Sequence, residues 1–106
     1  MASSKEYLNF ILEQLSGLEK ITYRAMMGEY IIYFRGKIAA YICDDRLLVK
    51  PVQAARSLMP EAPYELPYEG AKEMLLVENV DNREFLQALF EAMYDQLPAR
   101  STKKKK

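Results

Sequence analysis

Residues 24–51 read RAMMGEYIIYFRGKIAAYICDDRLLVKP, and apolar residues recur in this stretch with a period of two. That period belongs to strands, whose successive side chains point to opposite faces. Thr22–Met27 makes a first strand, broken at Gly28-Glu29, and Tyr30–Phe34 makes a second. An Arg35-Gly36-Lys37 turn suits a tight hairpin because glycine tolerates positive φ. Ile38–Cys43 and Arg46–Lys50 follow, joined at Asp44-Asp45. Turns this short require antiparallel neighbours, so the stretch is a meander.

Outward from the meander the period changes. Ser3-Ser4-Lys5-Glu6 is a capping-box start, and Leu8, Ile11, Leu12, Leu15 and Leu18 share one face of a helix over 3–18, ended near Gly17. Pro51 stops the sheet and opens a helix over Val52–Met59 with Ala54, Ala55, Leu58 and Met59 on its apolar side. Pro60, Pro63 and Pro67 make residues 60–70 a stiff connection. A further strand is expected at Glu73–Glu78, with Leu66–Tyr68 pairing at an edge. Asp81-Asn82-Arg83-Glu84 caps a last helix carrying Phe85, Leu86, Leu89, Phe90, Met93 and Leu97, closed by Pro98. This order predicts a two-layer α+β fold, an antiparallel sheet of five to six strands covered on one face by helices. Residues 1–98 form the domain, and 99–106 are expected to be a disordered basic tail.

Composition narrows the chemistry. The 106 residues include no histidine and one cysteine. The usual general base near neutral pH, the His-dependent nucleophilic dyads and a structural zinc site are thereby removed. Cys43 next to Asp44-Asp45 reads as inert packing, its thiolate disfavoured by the carboxylates. Asp44-Asp45 reads as turn chemistry rather than a cation site, and Met26-Met27-Gly28 matches no phosphate loop. An enzyme and a cofactor are therefore not expected. Neither a signal peptide nor a membrane span is legible, and the single cysteine fits a reducing compartment, so the expected location is cytoplasmic.

Charge is unevenly spread. Residues 1–100 carry 11 basic against 15 acidic groups, yet residues 20–56 carry seven basic against three acidic. Alternation assigns Tyr30, Ile32, Phe34, Ile38, Ala40, Ile42, Leu47 and Val49 to the face beneath the helices. The other parity mixes Ile31, Tyr33, Arg35, Lys37, Ala39, Tyr41, Cys43, Arg46, Leu48 and Lys50. Tyrosine and arginine around an apolar centre is the composition of a contact surface. The expected partner-binding residues are Tyr33, Arg35, Tyr41, Arg46, Leu48 and Lys50. The alternative at this stage is that loops and the stems of long basic side chains cover this face.

Several of these residues carry a resemblance. Arg24, Met26 and Gly28-Glu29-Tyr30, then Tyr33 and Gly36-Lys37, then Asp44-Asp45 with Leu47 and Lys50, and Tyr68-x-Gly70, resemble the N-terminal domain of the TfoX/Sxy family of bacterial competence regulators. Met27 stands where many members have Phe, and Glu29 where a second Gly is common. The resemblance implies helices against an antiparallel sheet and a link to transcriptional control of competence, where longer members act with a cyclic-AMP-responsive activator and carry a second domain. It implies no catalytic residues. The functional expectation is a non-enzymatic regulatory module with a protein partner, a transcription factor or a second copy of itself. The alternative is weak, direct nucleic-acid binding through the basic sheet face and the Lys103–Lys106 tail.

Overall fold

The computed structural model describes residues 4–26, 28–67 and 70–98. In chain order the elements are α1 (Lys5–Gln14), β1 (Ile21–Met26), β2 (Glu29–Phe34), β3 (Lys37–Cys43), β4 (Arg46–Val49), α2 (Gln53–Leu58), β5 (Tyr64–Glu65), β6 (Met74–Val77) and α3 (Arg83–Tyr94). One antiparallel sheet runs β1-β2-β3-β4-β6-β5, so the meander is continued by β6 and the short β5 closes the far edge. The tail 99–106, Met27 and Tyr68 lie outside the described residues.

Positive φ sets the meander's turns. Arg35 and Gly36 have φ of 52° and 84°, and Asp44 and Asp45 have 56° and 55°. Two consecutive positive values are the type I′ arrangement, whose twist matches that of the strands it joins. Gly28 has φ 84° in the first turn. Both long helices are capped at their starts, since Ser4 Oγ accepts from the Tyr7 N–H and Asn82 Oδ1 from the Phe85 N–H. α1 ends at Gln14 with Leu15 as its C-cap, earlier than the expected end near Gly17, and Gly17 instead lies against α3. A Cβ there would lie 2.5 Å from Gln87 Oε1, and the Gln87 side-chain amide donates to the Gln14 carbonyl of α1 at 3.0 Å.

All three helices lie on one face of the sheet. Leu8, Ile11 and Leu15 of the N-terminal segment and Leu86, Leu89, Phe90 and Met93 of α3 pack with Ile32, Phe34, Ile42, Leu47, Val49, Leu75 and Val77 in one buried core. Phe34 sits at its centre with ring centroids 6.4 Å from Phe90 and 5.3 Å from Tyr94. Phe34, Ile32, Ile42 and Val49 are fully buried, as alternation required. A second, smaller cluster of Cys43, Leu48 and Met74, with Tyr41 and Leu76 against it, occupies the opposite face and contains no helical residue.

One bulge changes the face assignment. The β2–β3 register slips between Ile32 and Tyr33: Ile32 pairs with Ala40, but Tyr33 pairs with Ile38 and Phe34 with Lys37. Ala39 is the extra residue, and everything before it in β3 changes side. Ile38 therefore shares the second face with Tyr33, whereas Ala39 joins the helix-side core and the Lys37 ammonium lies 4.2 Å from the Tyr94 ring centre. The edge strand also differs from expectation. Tyr64–Glu65 pairs with β6 and the Leu76 N–H donates to the Pro63 carbonyl, leaving Leu66 exposed. Pro67 explains this, because it cannot donate to a ladder. On α2 only Ala55 is buried, and Leu58 faces solvent.

Candidate interaction surface

The second face brings five of the six expected partner-binding residues to one side of the sheet. Tyr41 pairs with Leu48, Tyr33 with Ile38, and Arg46 and Lys50 flank Leu48 on β4 and just beyond it. Its centre is closed, however. Leu48 and Cys43 are fully buried, and Tyr33 retains 7% exposure. The segment around Pro67 and Ala71–Met74 forms one wall of a cleft whose other wall is Tyr41, Lys50 and Pro51. Leu48 is buried with Cys43 and Met74, and Tyr41 and Leu76 pack against this cluster.

Arg35 is not part of this set. Held in its turn by positive φ, it places its guanidinium 5.1 Å from the Phe34 ring centre and 5.2 Å from that of Tyr94, on the helix side. Arg46 is engaged by the Glu65 carboxylate of β5 and donates from Nε to the Cys43 carbonyl. The basic residues of 20–56 are therefore dispersed over both faces rather than gathered in a stripe. Burial first, and Glu29 second, pushes the Cys43 thiol up to about 12, so it stays protonated near neutrality. Burial, with Lys72 adding to it, pushes the Lys50 ammonium below the ordinary lysine value.

A different region is open. β1 is the first strand of the sheet, and Thr22, Tyr23, Arg24 and Ala25 are all exposed. The Arg35 N–H donates to the Lys20 carbonyl at 3.1 Å, which fixes the hydrogen-bonding phase against β2. Rows of an antiparallel pair alternate, so Thr22, Arg24 and Met26 direct their backbone groups toward Tyr33, Ile31 and Glu29. Ile21, Tyr23 and Ala25 direct theirs outward. Beside this edge, on the helix face, lies a groove of about 540 Å³ walled by Leu12, Leu18, Ile21 and Tyr23. The Tyr23 ring, 43% of the residue exposed, stands edge-on to Tyr30 at 6.0 Å. Sequence reading placed β1 to within a residue but had no means of knowing that, among the described residues, no later strand pairs with it, which is a property of topology.

The family model of the TfoX N-terminal domain matches residues 13–100. The chain belongs to that family. A curated relative, from Spirochaeta aurantia and described as an uncharacterized 12.7 kDa protein in the trpE 5′ region, is 31% identical over 80 residues. The matched region covers 76% of this chain and 70% of that protein. No solved structure matches. The TfoX N-terminal signature residues fall mostly at the meander's turns and rows, including Gly28, Gly36, Asp44, Asp45 and Leu47, where positive φ or core packing requires them.

Proposed function

We propose that this TfoX N-terminal domain is a non-catalytic regulatory module that binds a protein partner, and that the partner adds an extended segment to the β1 edge. The observation that carries this reading is the outward row of backbone groups at Ile21, Tyr23 and Ala25 beside an apolar groove. Strand addition uses such a row for affinity and an adjoining groove for side-chain specificity. The absence of histidine and a thiol held protonated support a non-catalytic role. The family link supports a setting in transcriptional control of competence with a transcription factor as partner, and the single cysteine fits the reducing cytoplasm.

Ala25→Pro tests it. The substitution removes an outward N–H without touching a β1–β2 hydrogen bond, and proline is tolerated on edge strands. The variant should stay folded at a cost of about 1 kcal/mol. It should also lose a complex that wild type forms after nuclease treatment and at high salt. Binding that disappears with nuclease or falls steeply with salt would favour nucleic acid instead. A complex that persists in folded Ala25→Pro would exclude the β1 edge, and a wild-type dimer abolished by the substitution would make the partner a second copy.

A further inference from the structure

We propose that the cleft between the second sheet face and the segment leading into β6 binds a compact organic anion, a phosphate or carboxylate on a small apolar body. The cleft has a volume of about 420 Å³, within the range of small-molecule sites. Lys50 and Lys72 supply its positive charge, Glu73 is the one acid among its described lining residues, and Tyr41, Pro51, Pro67 and Met74 supply apolar wall.

Lys50 is an exception within this chain. Three cationic residues are half-buried among the described residues: Lys37, Arg46 and Lys50. Lys37 donates to the Tyr94 carbonyl at 3.1 Å and lies over its ring. Arg46 has the Glu65 carboxylate. Lys50 makes no ion pair among the described residues, and a second ammonium, Lys72, lines the same cleft and acts against its charge. Burying one cation beside another opposes folding twice, through desolvation and through repulsion. A bound anion removes both penalties, and two ammonium groups are the point charges such a ligand takes. The apolar wall favours an anion carrying a hydrophobic body over a bare inorganic ion. This site is separate from the β1 edge and does not rest on the reading given above.

The test is an amide NMR titration of the full chain at constant low ionic strength, with phenyl phosphate and phthalate as probes. Saturable shifts confined to Tyr41, Lys50 and residues 70–74, with a dissociation constant of about 1 mM or tighter, are expected for at least one probe. The tighter probe tells a phosphate ester from a dicarboxylate. Lys50→Met and Lys72→Gln should each weaken the response about fivefold or more. Without ligand, Lys72→Gln should leave the melting temperature unchanged or raise it, because it removes repulsion. Absence of saturation with both probes, shifts spread over all exposed lysines, or a response unchanged in Lys50→Met would overturn the proposal. So would a clear fall in melting temperature of Lys72→Gln, which would give that lysine a structural role.

Discussion

The two edges of the sheet are built in opposite ways. At the far edge, β5 is two residues long, with Pro63 immediately before it and Pro67 two residues after it, and Glu65 is tied to Arg46. Shortness, proline and charge are the usual devices that stop an edge from pairing with another chain. At the near edge, β1 runs six residues with no proline, and its central four residues are exposed. Only Arg24 puts a charge on it. The same fold that blunts one edge leaves the other able to accept a strand, beside the apolar groove of Leu12, Leu18 and Ile21.

The comparison can be sharpened by removing what supports each edge. Since among the described residues β1 pairs with β2 alone, its place depends on the core beneath β2. Phe34→Ala should therefore cost about 3–5 kcal/mol in chemical denaturation. A loss below about 1 kcal/mol would mean that β1 and β2 are held by something other than the helix-side core. Leu48→Ala, in the smaller cluster near β5 and β6, should cost about 2–4 kcal/mol. Near-neutral behaviour would mean that the second face is open after all, and would restore it as a docking surface.

Cys43 reports on that face through pH. Its folded pKa is raised to about 12, above the ordinary value of 9.0, so its contribution is full below pH 9 and is lost as pH rises toward 12. Wild type should accordingly lose more stability over that window than Cys43→Ala does. Equal slopes in the two proteins would place the thiol in contact with water. The smallest effect belongs to the far edge: Arg46 and Glu65 are each about one-third exposed, so Arg46→Ala should cost under about 1 kcal/mol in stability. It should nevertheless speed amide exchange at Met74 and Leu76, whose N–H groups turn toward the β5 side. Unchanged exchange would show that the prolines alone blunt this edge.

The meander was readable because its turns carry their own chemistry. Gly28, Gly36 and the Asp44-Asp45 pair mark the three two-residue connections, and alternation then placed Ile32, Phe34, Ile42 and Val49 in the core. The bulge at Ala39 was not readable, because Lys37-Ile38-Ala39 alternates equally well in either register. Its consequence was to exchange Ile38 for Ala39 and Lys37 beneath the helices. The burial of Leu48 with Cys43 and Met74 depends on β6 inserting beside β4, a long-range pairing that alternation within β4 does not reveal. For the same reason Lys72 could not be placed beside Lys50, and Arg35 could not be placed over Phe34 and Tyr94. The openness of β1 was hidden by the same pairing: which strand ends unpaired depends on where β6 inserts, and it inserts beside β4.

Residue-resolved amide hydrogen exchange along β1 tests the open edge most directly. The amides of Thr22, Arg24 and Met26, turned toward β2, should be protected at least about a hundredfold more than those of Ile21, Tyr23 and Ala25. Addition of the partner should then slow the second set and leave the first nearly unchanged. Equal protection of all six amides in the isolated protein would contradict the account, because the edge would already be paired.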